Sequence, residues 1–141
     1  MKTYEGKRSY GQCFVTVDGR ALDPRFDLHM HSPDGFEWNY GGSGPAQLAL
    51  AILADHLGDD QEALNLYQRF KWSVVAGMPR RGWALTSHEI DVELHRIRAA
   101  IYRDCQVGPR VEWYRGNVWA QVVCQWTTIP HDKLQTRAGG E

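Results

Sequence analysis

Residues 41–45, Gly-Gly-Ser-Gly-Pro, have the composition of an anion-binding turn. Glycine lets the backbone approach a ligand closely, and a serine followed two residues later by proline is typical of the start of a helix. The free N–H groups at the positive end of such a helix bind phosphate or carboxylate. The expected binding groups here are the Ser43 hydroxyl and the backbone amides of Gly42, Ser43, Gly44, Ala46 and Gln47. The alternative is a tight turn whose glycines serve packing alone.

Three better-known motifs are not matched at this turn. A P-loop ends in Lys-Ser or Lys-Thr, which is missing here. The third glycine of a dinucleotide-binding fingerprint is replaced by Leu48 or its neighbours, and Pro45 stands where a GxSxG elbow has its last glycine. An anion site at this turn would therefore belong to none of these three motif classes.

An aromatic row precedes the turn. Residues 36–40 are predicted to form a strand with Phe36, Trp38 and Tyr40 on one face. A base stacked on such a ring contributes about 1–3 kcal/mol, so Trp38 and Tyr40 next to an anion site predict a nucleotide site. Arg80 and Arg81, in a glycine-flanked loop, are expected to close over it. The alternative is that the row packs in the core beneath the following helix.

Other chemistries have weaker support. His29 and His31 are expected to share one face of a strand, but a metal site needs a third ligand, and none is legible in the sequence. The adjacent carboxylates Asp59 and Asp60 are typical of a helix start. No cysteine lies near a histidine along the chain. We therefore predict no metal, no cofactor and no catalytic residue, which favours a protein that is not an enzyme.

Composition limits the class of protein. The chain has 141 residues, a net charge of −1 and a longest apolar run, residues 48–54, too short to cross a bilayer. Near-neutral charge argues against a nucleic-acid binder. Three widely spaced cysteines with no CxxC favour reduced thiols. These features predict a cytoplasmic, non-membrane protein with one domain.

The remaining patterns predict an α+β domain: a mostly antiparallel sheet of about six strands, a buried central helix and two further helices. Asp18-Gly19 marks a hairpin, and Thr86 with Glu89 forms a capping box before a helix whose apolar stripe begins at Ile90. The predicted strands are 13–17, 20–22, 26–31, 36–40, 71–75 and 83–85, with a hairpin over 111–128; the predicted helices are 45–57, 61–69 and 86–105.

The block from Gly35 to Leu53 resembles a family of small proteins of unknown function found in phages, plasmids and bacterial genomes, whose members carry a similar GFEWGYGGSGPAQLALAIL block. Downstream, Tyr67-Gln68-Arg69-Phe70-Lys71-Trp72, Trp83 and Ile90 are also similar. The resemblance covers about residues 8–95 and departs at Asn39, where the family usually has glycine. It implies a mobile-element context, and therefore accessory functions such as inhibition of a host defence.

The composition along the chain and the resemblance together suggest boundaries. Residues 1–9 are predicted to be a lead-in, 10–128 one domain with a family-like core over 10–95 and an added helix and hairpin over 96–128, and 129–141 a flexible tail. Both faces of the later hairpin are apolar, which predicts a homodimer, with a monomer as the alternative.

The function expected from these features is non-catalytic binding. The protein would counter a host defence system by sequestering a nucleotide-like ligand or by blocking a defence protein. The alternative is a small enzyme acting on a phosphorylated small molecule, and a nucleic-acid module ranks last because of the charge. The sequence does not choose between a small-molecule and a protein target.

Overall fold

A computed structural model describes residues 1–106. Residues 1–94 form one compact unit, and the described residues beyond it continue the last helix. The elements are β1 Thr3–Ser9, β2 Gln12–Val17, β3 Arg20–Ala21, α1 Ser43–Leu57, α2 Asp60–Ser73, β4 Gly82–Thr86 and α3 Ser87–Gln106. The predicted hairpin 111–128 and tail 129–141 lie outside the described residues. In residues 1–106 no helix is long and apolar enough to cross a membrane.

The four strands form one antiparallel sheet in the order β3-β2-β1-β4. Two tight turns connect the first three strands. Tyr10 and Gly11 have φ of 49° and 78°, and Asp18 and Gly19 have φ of 48° and 81°. Paired positive φ values are the geometry of the two-residue turns that match strand twist. The Asp18-Gly19 hairpin was predicted, and the Tyr10-Gly11 hairpin was not.

The predicted α+β class is confirmed, but the described residues hold four strands rather than about six. The predicted strands 26–31 and 36–40 belong to a long irregular connection, residues 22–42. Positive φ at Arg25, Gly35 and Asn39 bends this connection out of an extended path. Residues 71–73 are the end of α2, and a single 3₁₀ turn, Val75–Gly77, follows. In the predicted strand 26–31 the apolar side chains of Phe26 and Met30 are exposed, so the alternation there does not mark a buried strand face.

The predicted lead-in is also wrong, because residues 3–9 form β1, which pairs with β2 on one side and β4 on the other. Its sequence, Thr-Tyr-Glu-Gly-Lys-Arg-Ser, offers one aromatic residue and no aliphatic one. Tyr4 is nonetheless fully buried, and its hydroxyl donates to the Asp55 carboxylate of α1 at 2.6 Å. Gly6 is buried under the Trp83 ring, which would collide with any Cβ there.

The three helices agree with the prediction in kind and nearly in extent. Helix α1 is buried from Gly44 to Ala54 and ends at Gly58, whose φ of 64° is the left-handed cap that glycine favours. The capping box of α3 is confirmed: the Glu89 N–H donates to Thr86 Oγ1 at 3.2 Å, and the Thr86 N–H donates to Glu89 Oε2 at 2.8 Å. Ile90 and Leu94 on its apolar stripe are buried. The central position of α1 places its N-terminus and the preceding turn against α2.

Candidate functional site

The glycines of the 41–44 turn are places of close packing. None of Gly41, Gly42 and Gly44 has a left-handed φ. A Cβ at Gly41 would collide with the Trp72 ring, one at Gly42 with the Tyr40 ring, and one at Gly44 with the Glu37 side chain. The packing interpretation therefore accounts for the choice of glycine at all three positions.

Two aromatic rings that pack on this turn are also open to solvent. Trp72 is 63% exposed and Tyr40 is 50% exposed. The Trp72 ring lies against Gly41 and the Tyr40 ring against Gly42, directly before α1 begins. The turn thus presents large apolar faces beside the positive end of a buried helix.

Only part of the predicted amide set is available at this end of α1. Gly42 is the N-cap residue and supplies no side-chain cap, and the Ala46 N–H already donates to the Gly42 carbonyl at 3.0 Å. Proline at position 45 has no N–H. The N–H groups of Ser43 and Gly44 make no hydrogen bond within residues 1–106. Ser43 is an exposed residue and Gly44 is a buried one, which favours the Ser43 N–H as the donor for a ligand.

Gln47 has a different role from the predicted one. Its side chain is fully buried, and its Oε1 accepts from the His31 N–H at 2.7 Å and the Ser32 N–H at 3.2 Å. Its Nε2 donates to the Pro24 carbonyl at 2.6 Å and the His29 carbonyl at 3.0 Å. Every hydrogen-bond donor and acceptor of the Gln47 side chain is therefore used in holding the 22–42 connection on α1.

Trp38 and Tyr40 do not share a face. Asn39 between them has a φ of 77°, which interrupts the extended alternation. Trp38 is only 1% exposed, and its Nε1 donates to the Pro79 and Arg80 carbonyls, each at 3.0 Å. The Trp38 ring is therefore part of the core, and Tyr40 is the member of the row that remains available for stacking.

A charged network flanks Trp38. The Arg8 guanidinium lies 5.2 Å from the Trp38 ring centroid and binds the Glu37 carboxylate through both oxygens, at 3.3 and 2.8 Å. The hydrogen bond from Arg8 lowers the pKa of Glu37. Burial, and then the neighbouring Glu37 carboxylate, raise the pKa of the Cys13 thiol to about 11. A thiol with that pKa is protonated at neutral pH and is a poor nucleophile.

Arg80 and Arg81 are placed beside this network rather than over the turn. The Arg80 carbonyl accepts from Arg8 Nε at 3.2 Å, and the Arg81 carbonyl accepts from the Arg8 N–H at 3.1 Å. Both arginine side chains are exposed, and neither forms an ion pair with another residue in the described part of the chain. They remain candidates for a ligand contact from the side of Trp38.

The two histidines of the HxH segment lie near α2. Their rings are 4.0 Å apart between centroids, and His31 Nε2 lies 2.6 Å from the Tyr67 hydroxyl. Burial lowers the pKa of His31, and the nearby His29 and Lys71 lower it further. Across the 106 described positions, no three His, Cys, Asp or Glu side chains come together in a way that could hold a metal.

Sequence reasoning missed Lys71 and Trp72. Both were assigned to a strand, whereas they occupy the last turn of α2. Lys71 is only 7% exposed, and its ammonium lies 4.5 Å from the Trp72 ring centroid. Extending the helical period of α2 beyond residue 69 would have placed Phe70 and Lys71 on the buried side, since Ala63, Leu66, Tyr67 and Phe70 follow that period.

Comparison with known proteins gives a family without an assigned activity. No curated protein and no solved structure matches the chain. A model of a family of unknown function, DUF6166, matches residues 4–96, which include the sheet, α1, α2 and the turn with its aromatic rings. The chain therefore belongs to the DUF6166 family.

Proposed function

We propose that this protein is a non-catalytic binding protein whose ligand is nucleotide-like and sits at the start of α1. The main support is that two exposed rings, Tyr40 and Trp72, pack on the glycine turn just before Ser43. The Ser43 N–H makes no hydrogen bond within residues 1–106. A phosphate at that N–H gains from the helix dipole, and a base gains by stacking on an aromatic face. Gly42 and Gly44 shape the turn, and Arg80 and Arg81 are available from the side.

We place binding before catalysis because the histidine–carboxylate pair of the described residues, His56 with Asp91 at 2.6 Å, lies at the last turn of α1 and not at its start. The nearest candidates are already engaged: Glu37 with Arg8, and His31 with Tyr67. A small enzyme acting on a phosphorylated molecule stays the alternative, and turnover of any ligand that binds would favour it.

The biological setting proposed for this activity comes from the resemblance described above. We infer that the protein originates from a phage or other mobile element, acts in the host cytoplasm and counters a defence system. Removal of a nucleotide-like signal is the route that the exposed rings support. Blocking of a defence protein is the second route, because the same exposed aromatic surface suits a protein contact.

The Ser43 N–H can be removed without adding bulk at a buried position. Ser43→Pro deletes that donor, and proline is favoured at the first position of a helix, so folding should be retained. Ser43→Ala removes the hydroxyl alone and is the matched control. Position 44 is unsuitable because any Cβ meets Glu37.

Isothermal titration of the wild type against linear and cyclic nucleotides identifies the ligand. For the tightest binder we expect about a tenfold loss of affinity or more in Ser43→Pro, and a smaller loss in Ser43→Ala, because hydrogen bonds to charged groups contribute about 1.5–3 kcal/mol. Equal affinity in the wild type and Ser43→Pro would exclude the helix end as the anion site. No binding by any nucleotide would overturn the proposed ligand class.

A further inference from the structure

One face of the sheet packs on α1 through Tyr4, and the opposite face is exposed in the described residues. Side chains alternate along β1, with Tyr4 on the buried face and Glu5 and Lys7 on the exposed one. Lys7 is directly opposite Phe14 of β2, which places both side chains on the exposed face. Phe14 is 53% exposed although β2 is one of the two central strands. Its ring is therefore available to a partner that lies on the sheet.

Tyr10, at the tip of the β1–β2 hairpin, has a backbone conformation that suits it poorly. Its φ of 49° lies in the left-handed region, where a bulky side chain is an outlier and where this type of turn favours asparagine or glycine. The Tyr10 side chain is fully exposed, so no packing offsets this strain. An aromatic residue that is strained and wholly exposed to solvent indicates a role in binding rather than in folding.

Positive charge is concentrated at the same end of the sheet. Lys7 on β1 is exposed, and so are Arg80 and Arg81 just before β4. The Arg81 carbonyl accepts from the Arg8 N–H at 3.1 Å, which holds the two arginines beside the end of β1. Lys7, Arg80 and Arg81 form no ion pair with another described residue. Glu5 is the one acidic residue in the four described strands, so the net charge of −1 for the whole chain conceals a local positive excess.

Exposed rings among unpaired cations complement a single-stranded nucleic acid. Every base has a flat face that stacks on an aromatic ring, and the phosphates between the bases bind lysine and arginine. Aromatic side chains on the open face of a four-stranded sheet are a known way of holding unpaired bases. An acidic peptide would use the cations but would leave the two rings without stacking partners.

We propose that the exposed face of this sheet, around Lys7, Tyr10 and Phe14, binds single-stranded nucleic acid by base stacking and phosphate contacts. This function goes beyond the nucleotide-like ligand proposed for the start of α1 and does not depend on it. The two sites lie on different parts of the fold, because α1 packs on the opposite face of the sheet through Tyr4 and Asp55.

The first test measures the stacking contribution of Phe14. A fluorescein-labelled oligothymidylate of about twelve nucleotides is titrated with the full chain at low salt, and binding is followed by fluorescence anisotropy. Phe14→Thr removes the ring and keeps a residue that strands favour. We expect its affinity to fall about fivefold or more, as the loss of one stacked base predicts.

The second test measures the phosphate contact of Lys7. Lys7→Gln should weaken binding and should reduce the slope of log affinity against log salt by about 0.7, the value for one phosphate contact on a single strand. Arg20→Gln is the matched control, since it removes an exposed charge from β3 beside Val17, at the other end of β2. The control should match the wild type in both affinity and salt slope.

The third test separates binding from folding at Tyr10. Asparagine is favoured in this turn before glycine, so Tyr10→Asn should raise the melting temperature of the protein while lowering its affinity for the oligonucleotide about fivefold or more. A tyrosine retained for folding would give a lower melting temperature when it is replaced. A rise in melting temperature with unchanged affinity would remove Tyr10 from the binding surface.

Three results would overturn the proposal. The first is no binding of the oligothymidylate to the wild type at low salt. The second is binding that is unchanged in both Phe14→Thr and Tyr10→Asn, which would place the nucleic acid elsewhere on the protein. The third is competition by polyglutamate as strong as that by unlabelled oligothymidylate, which would indicate an acidic protein partner. None of these results affects the nucleotide site at the start of α1, which Ser43→Pro tests separately.

Discussion

At the scale of single residues, Asn39 decides which aromatic side chains are available. Its left-handed backbone, with φ of 77°, turns Tyr40 towards solvent while Trp38 stays in the core. The Asn39 side chain donates to the Met78 carbonyl at 2.9 Å, and its N–H donates to the Val75 carbonyl at 3.1 Å. Asparagine and glycine are the residues that tolerate this conformation best, and the similar family block has glycine there.

We predict that Asn39→Ala destabilises the protein more than Asn39→Gly. Both variants lose the hydrogen bond to Met78, but alanine also retains a Cβ in the left-handed region, which costs about 1–2 kcal/mol relative to glycine. Urea unfolding of the two variants and the wild type measures the difference. Equal stability of the two variants would mean that position 39 relaxes out of the left-handed conformation.

The Glu37 carboxylate makes the stability of the fold depend on pH. The hydrogen bond from Arg8 holds the pKa of Glu37 below its usual value in the folded state. The pair therefore stabilises the fold above the unfolded pKa of about 4.3, and this contribution is lost as the pH falls through the lower, folded pKa. Its size is at most about 1 kcal/mol, because the Glu37 side chain is 34% exposed and partly screened by solvent.

We expect the unfolding free energy of the wild type to fall more steeply between about pH 5 and pH 3 than that of Glu37→Gln. The measurement is urea unfolding at several pH values, with the exposed Glu5→Gln as the matched control on β1. Parallel curves for the wild type and Glu37→Gln would show that the Arg8–Glu37 pair contributes no pH dependence.

At the scale of elements, one side chain of α1 holds the longest connection of the described chain. The four hydrogen bonds of Gln47 to residues 24, 29, 31 and 32 fix a segment that includes the predicted strand 26–31. A buried glutamine whose donors and acceptors are all satisfied favours one conformation of the loop over the others. The segment thus depends on a contact distant in sequence, which local patterns do not reveal.

Replacing Gln47 by leucine should destabilise the protein by about 2–4 kcal/mol, because two backbone N–H groups and two carbonyls lose buried partners. Thermal and urea unfolding measure this loss, and the exposed Gln68→Leu on α2 is the control. Amide exchange at His31 and Ser32 should become faster in the variant, since both donate to Gln47 Oε1. Unchanged exchange at both amides would contradict the anchoring role.

Elements with a local signal were predictable. The Asp18-Gly19 turn, the Thr86–Glu89 capping box and the apolar run of α1 each carry their own physical cause in adjacent residues. The irregular connection and β1 were not, because the first depends on Gln47 and the second on pairing with β2 and β4. The anion site at the 41–45 turn stays a prediction, and the helical placement of Lys71 and Trp72 was hidden by a helix boundary placed four residues early.

At the scale of the whole molecule, the oligomeric state stays a prediction. Trp119, Val118 and Val122 put apolar residues on both faces of the predicted hairpin 111–128, which lies outside the described residues. A strand that is apolar on both faces is covered on both, and a second copy is the commonest cover in small symmetric assemblies. Light scattering should give a dimer for the full chain and a monomer for a truncation ending at Cys105. A monomeric full chain at tens of micromolar would contradict this.

The contact between Gly6 and Trp83 has a consequence for how members of the family can diverge. Because Gly6 has no side chain, the Trp83 ring can lie across β1 at that position. The two positions should therefore change together: a relative with a side chain at position 6 should have a small residue at position 83. Each change alone should be disfavoured by selection, through a steric collision in one order and an unfilled space in the other. The pair is expected to covary when related sequences are aligned.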